Sequence, residues 1–235
     1  MSLIERSLPL IGEDGAEKLN NSSVIVFGVG GVGSWCAEAL VRCGVGSITV
    51  VDGDVVSETN RNRQLIALDS TVGKGKAKVC AERLSDISPD CDVKSIELFY
   101  SLETASVIDL SQYDYIADCI DTVTSKLLLI KSASECGVPI ISSMGTGNRL
   151  DPSRITVTDV FKTEGDPLAR VMRKELRARG VEALKVVCSD EPPGKCIEGR
   201  NEITGRATPS SAVFVPATAG LRMAYEIVAE LLQSK

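Results

Sequence analysis

At 235 residues with 43% hydrophobic content, the chain is long enough for one large α/β domain with its own core. It has no histidine, which excludes imidazole general-base catalysis and any histidine-ligated metal. Its 26 basic and 32 acidic residues leave a formal net charge of −6, which disfavours non-specific adhesion to nucleic acid, and 4% aromatic content leaves little for extensive base stacking.

In chain order, Val24-Ile-Val-Phe27 reads as a buried strand, Gly28 to Gly33 as a glycine turn, and 33–43 as an amphipathic helix carrying Trp35, Cys36, Ala39, Leu40 and Cys43. Further strands are expected at 47–51, 92–98, 113–117 and 139–143, alternating with helices at 75–87, 101–109 and 123–136. Such alternation predicts a Rossmann-like, mostly parallel sheet with helices on both faces, and ligand outside the carboxyl ends of its strands. Beyond Gly145-Thr-Gly147 the pattern changes, and 154–159 and 184–187 read as added antiparallel strands. The expected organisation is a single domain, 1–235, with a nucleotide-binding core over 1–147 and a substrate-side extension over 148–235. Within the extension, the Pro- and Gly-rich stretch 189–209 reads as a mobile loop able to cover substrate. The tail Ala212 to Leu232 is broken by Arg222, Glu226 and Glu230, so it reads as a packed helix rather than a membrane span.

The glycine turn carries the chemistry. Gly28, Gly30 and Gly33 fit G-x-G-x-x-G, and with Gly31 they let bare backbone approach a phosphate at a helix N-terminus. The strand Ser47-Ile-Thr-Val-Val ends in Asp52, suited to accept ribose hydroxyls. That much fits a nicotinamide-binding oxidoreductase or a nucleotide sensor. The segment Asp52-Gly-Asp54 through Asn60-Arg61-Asn62-Arg63-Gln64 separates the candidates, because it sets two guanidiniums and several amides beside the phosphate site. A pyrophosphate cradled by a helix has little need of them, whereas a triphosphate attacked at its α-phosphate does. Lys76 adds an ammonium at the start of the next helix, suited to a β- or γ-phosphate. A solvated basic loop is the other way to account for the same residues.

The run G-x-G-G-x-G-S, then Gly44-Val-Gly46 through Asp52 and Asp54, Asn60-x-x-Arg63-Gln64, and Thr71-Val-Gly73 with Lys76 resembles the ubiquitin-activating-enzyme-like adenylyltransferases. The later Ile155-Thr-Val-Thr-Asp159, Lys162-Thr163, Asp166-Pro-Leu-Ala169 and Arg173 are similar to one branch, the tRNA threonylcarbamoyladenosine dehydratases. The resemblance implies that backbone at Gly28 to Gly33 holds ATP, Asp52 holds its ribose, and Asn60, Arg63 and Lys76 contact the triphosphate. It implies that Asp121, in Asp118-Cys-Ile-Asp121-Thr122, lies near the phosphates and magnesium. Arg6 matches an arginine supplied across a homodimer interface, and is equally an ordinary surface arginine. The implied activity is ligase-type adenylation of the carboxylate of threonylcarbamoyladenosine in tRNA, followed by ring closure and net dehydration. The alternative is activation of a ubiquitin-like sulfur carrier, with a sulfur-transfer partner protein.

None of the eight cysteines forms C-x-x-C, where carrier-activating relatives bear two such pairs, so no zinc is expected. Scattered cysteines without a secretory leader read as reduced, and a cytoplasmic setting is expected. Cys36, Cys43 and Cys80 fall in helical patterns as core residues, while Cys188 and Cys196 flank the stretch from Ser189. Cys188 reads either as a catalytic thiol or as a solvent-exposed bystander. Arg170, Arg173 and Arg177 share one helical face. They read either as a contact for tRNA phosphates or as a solvated face packed through Val171, Met172 and Leu176.

Overall fold

The computed structural model describes residues 3–194 and 209–234, so Cys196 and most of the expected mobile loop lie outside the described residues. Its seven-stranded sheet has the order β3-β2-β1-β4-β5-β7-β6. The strands are β1 (Ser23–Phe27), β2 (Ser47–Val51), β3 (Asp92–Ile96), β4 (Tyr115–Asp118), β5 (Ile140–Ser143), β6 (Ile155–Asp159) and β7 (Lys185–Ser189). The helices are α1 (Leu8–Asn20), α2 (Gly33–Arg42), α3 (Lys76–Ile87), α4 (Val123–Cys136), α5 (Pro167–Ala178) and α6 (Phe214–Gln233). Every pairing is parallel except β6 with β7, which form the expected antiparallel extension, and β7 also joins β5 in parallel.

Strand β1 shows why the sheet is two-sided. Val24 and Val26 join the core under α2, α3 and α6, while Ile25 and Phe27 join the core of the opposite face with Ile116 and Leu129. A third cluster packs α4 against α5 through Leu127, Ile130, Met172 and Leu176. The C-terminal helix lies on α2 so closely that a Cβ at Gly220 would stand 2.3 Å from the Val32 carbonyl oxygen. Its far end is tied to the sheet: Tyr115 donates its hydroxyl to Glu230 at 3.0 Å, and Lys185 pairs with the same carboxylate. No described helix is long and apolar enough to cross a membrane.

Two expected elements differ. Residues 101–109 form no α-helix, only a single 3-10 turn at Ala105–Val107 ahead of another at Leu110–Gln112. Short polar side chains compete with the helix there: Thr104 Oγ1 accepts from Ser101 N at 2.9 Å and donates to Phe99 O at 2.6 Å. Helix α1 has no counterpart in the sequence-based expectations. Gly12, at φ 73°, breaks it near its middle, which obscures the helical period.

At the C-terminal end of β4, Asp118 and Lys126 form an ion pair at 2.9 Å with both side chains fully buried. Lys126 Nζ also donates to Ile120 O at 2.8 Å, Asp118 accepts from Ile120 N at 3.1 Å, and Ser142 donates its hydroxyl to Asp118 from β5. Lys126→Met strips the charge that compensates Asp118. It is expected to cost about 3–5 kcal/mol of unfolding free energy, measured by urea denaturation.

Candidate nucleotide-binding site

β1 pairs with β2 on one side and β4 on the other, which makes the carboxyl end of β1 a topological switch point. A cavity of ≈ 390 Å³ opens there. Its glycine wall follows from steric need. Gly28 has φ 82°, and a Cβ on Gly33 would stand 1.8 Å from the Gly28 carbonyl oxygen. Gly33 therefore sets strand–helix packing, while Gly28, Gly30 and Gly31 line the cavity itself. Arg63 crosses this wall, its Cγ 3.5 Å from where a Gly31 Cβ would lie.

Asp52, at the tip of β2, is held by backbone. It accepts from Val29 N and from Asp54 N, each at 2.8 Å, so the carboxylate is oriented by both the glycine turn and its own loop. Burial pushes its pKa above the ordinary aspartate value, against those two amides and the nearby Lys76 ammonium. Lys76, the first residue of α3, is nearly buried and pairs with Asp54 at 2.9 Å. A short antiparallel bridge between Val55 and Gly75 carries it there. Arg63 Nη1 donates to Thr59 O and to Asn62 Oδ1, each at 3.0 Å, and partial burial lowers its pKa. Gln64 is buried on the cavity wall, and its Oε1 has no hydrogen-bond partner among the described residues. Asp121 lies across the cavity, on the loop gripped by the Asp118–Lys126 pair.

This set fits a nucleoside triphosphate: glycine backbone at a helix N-terminus, two cations beside it, and a buried amide oxygen free to accept a hydrogen bond from a hydroxyl or amino group of the nucleoside. For a metal, no cluster of three or more carboxylate or thiol ligands occurs among the described residues. A lone carboxylate such as Asp121 suits a magnesium ion that takes its other ligands from phosphate and water.

The ThiF family model matches residues 4–233, essentially the whole chain. The chain belongs to the ThiF family. A tRNA threonylcarbamoyladenosine dehydratase of Bacillus subtilis is 43% identical to this ThiF-family chain over 95% of it and 92% of the relative. The crystal structure of the Escherichia coli tRNA N6-threonylcarbamoyladenosine dehydratase with AMP superposes with a TM-score of 0.88 at 32% identity, covering 97% of this chain and 93% of that one. The same enzyme with ATP gives 0.86 at 33% identity, with the same coverage.

The ThiF-family site thus brings together Gly28, Gly30, Gly31, Asp52, Asp54, Arg63, Gln64, Lys76 and Asp121. Other expected residues stand apart. Asn60 does not line the cavity; its Oδ1 caps the turn that aims Arg63, accepting from Ser57 N at 3.1 Å. Arg6 is exposed ahead of α1, away from its own chain's cavity. Cys188 is neither exposed nor at the cavity: it lies buried in β7, 3.6 Å from the Thr156 hydroxyl, and burial pushes its thiol up. Of the three arginines of α5, Arg170 and Arg177 are exposed and Arg173 is drawn inward. Arg173 donates to the Thr163 carbonyl at 2.7 Å, Arg177 stacks 5.0 Å from the Phe161 ring centre, and Arg170 is exposed. Met172 and Leu176 are buried beneath them, but Val171 is 44% exposed and packs nothing inward.

Two residues that sequence reasoning missed also line the cavity. Phe99 lies against Gly53, where a Cβ would meet its ring at 2.7 Å, and offers an exposed aromatic face beside Asp52. Cys119 sits under the glycine turn, but a hydrogen bond with Cys36 and burial hold its pKa well above that of a free thiol. Gly33→Ala should force the turn and α2 apart. The expected loss is about 1–3 kcal/mol or more, read by thermal or urea unfolding, with the cradle displaced in a crystal structure of the variant.

Proposed function

We propose that the chain catalyses the ATP-dependent dehydration of threonylcarbamoyladenosine in tRNA. The observation that carries this reading is the convergence of Arg63, Lys76, Gln64 and Asp121 on one glycine cradle, in a chain 43% identical to a dehydratase of that name.

The carboxylate of the threonylcarbamoyl group attacks the α-phosphate of ATP. The bond to the β,γ-phosphates breaks, and pyrophosphate leaves. In the acyl adenylate that results, an internal nitrogen attacks the activated carbonyl, loses its proton, and expels AMP as a hydantoin ring closes. AMP carries away the carboxylate oxygen, so the nucleoside loses one water. The attacking group is already ionised at neutral pH, so a chain without histidine loses nothing essential. Arg63 and Lys76 offset the charge that develops on the departing pyrophosphate. Asp52 orients the ribose, and Asp121 would hold magnesium, which neutralises phosphate charge when bound.

The tRNA-facing side of the reading narrows to Arg170 and Arg177. Both are exposed, Arg170 on the first turn of α5 two residues from cavity-lining Leu168 and Arg177 over the Phe161 ring, whereas Arg173 is held inward by Thr163. A homodimer belongs to the same reading. Arg6 is exposed and outside its own cavity, and Leu3, Leu10, Leu221 and Tyr225 leave exposed apolar surface on α1, the turn before it, and α6.

Incubation with ATP, magnesium and tRNA bearing threonylcarbamoyladenosine, followed by mass spectrometry of the digested nucleosides, tests the whole. ATP-dependent loss of one water is the expected result; an unchanged nucleoside with a protein that binds ATP would redirect the search to a carrier protein. Arg63→Ala is expected to lower turnover about 100-fold or more, with the fold intact by circular dichroism. Cys188→Ala is expected to keep turnover within about threefold, because its thiol is buried away from the cavity; complete loss in a folded variant would make that thiol part of the reaction.

A further inference from the structure

The first turn of α2 presents two side chains toward the segment that carries Arg63. Ser34 Oγ donates to Gly30 O at 2.6 Å and accepts from Leu65 N at 3.2 Å. The next residue, Trp35, donates its indole N–H to Arg63 O at 3.2 Å. Adjacent side chains thus grip the main chain on either side of Gln64, and Ser34 ties the same segment to the glycine turn. The gripped segment has little regular structure of its own. It follows a single 3-10 turn, Glu58–Asn60, and its other distant tie is Asn62 Nδ2 donating to Ser211 O at 2.8 Å.

Trp35 is half-buried, between the enclosed Ser34 and Cys36, with its Cβ 2.9 Å from where a Gly220 Cβ would lie, so it packs on α6 as well as reaching the arginine segment. What the indole supplies is one directed donor to the arginine's own peptide unit. An arginine side chain has several rotatable bonds, so its guanidinium is aimed only if its backbone is fixed.

We propose that Trp35 and Ser34 are positioning residues, which lock the Arg63 peptide to the phosphate-binding turn so that the guanidinium meets the departing pyrophosphate. The inference rests on the reading that Arg63 acts on the triphosphate. It predicts an effect that travels through Arg63 alone.

A double-mutant cycle tests it, with kcat and the KM for ATP measured for dehydration of threonylcarbamoyladenosine tRNA and single-turnover rates for the slow variants. Trp35→Phe should lower kcat about tenfold while the KM for ATP stays within about twofold, since the glycine turn and Asp52 remain. In an Arg63→Ala background, Trp35→Phe should change the rate no further. If Arg63→Ala alone leaves kcat unchanged, the reading of Arg63 fails. If Arg63→Ala cripples turnover and Trp35→Phe costs the same factor with or without Arg63, that reading stands and the positioning role is overturned. An unchanged kcat in Trp35→Phe overturns it too. Should Trp35→Phe fail to fold, Ser34→Ala keeps the indole and must show the same dependence on Arg63; additivity there also defeats the proposal.

Discussion

The Asp118–Lys126 ion pair is the constraint on which the cavity rests. Both side chains are fully buried, so each has given up its hydration, and in such a place a well-packed apolar pair would be no less stable. What the charges supply is direction. Between them they hold both the N–H and the C=O of Ile120, while Ser142 brings β5 to the same carboxylate. Strands β4 and β5 and helix α4 are thereby joined at one point, and the next residue is Asp121. The loop that faces the glycine turn is thus fixed from beneath, before any ligand arrives.

The opposite wall is fixed by the same economy of means. Backbone amides, not side chains, orient Asp52, and an acidic neighbour holds Lys76. In a chain of net charge −6, a triphosphate meets an unfavourable general field, so local cations must be concentrated and already aimed. Asp54 serves that aim by restraining the Lys76 ammonium while itself remaining half exposed, at 54%. An exposed carboxylate is a weak competitor for a lysine that a phosphate can reach. The pair therefore pre-sets the ammonium at small cost.

What could be read in the sequence was whatever a local pattern encodes. The apolar run of β1, the glycine turn, Asp52 after β2 and the position of Lys76 at a helix start all follow from neighbours within a few residues. The α5 stripe shows the converse. Spacing puts Arg170, Arg173 and Arg177 on one face, but what draws Arg173 inward is Thr163, which arrives from the preceding turn. Lys126 left no signal, because a lysine in a helix that begins Val123-Thr-Ser reads as surface until Asp118 is known to face it. Phe99 lay one residue past the strand expected at 92–98 and in no expected element; the strand ends at Ile96, and the exposed ring lines the cavity.

The reaction itself explains why so little conventional catalytic equipment is present. With the nucleophile supplied by the substrate and the leaving group by ATP, no residue need donate an electron pair or shuttle a proton at the first step. Cys188, buried away from the cavity, and Cys119, half-buried on its wall, both have raised pKa, which agrees with a site that works without a thiolate. What remains for the protein is geometry: a cradle whose glycines admit phosphate, cations held at set points around it, and a loop that cannot drift. The loop and the Arg63 segment are secured by contacts one layer behind the cavity, so the residues that decide rate extend beyond those that can touch the nucleotide.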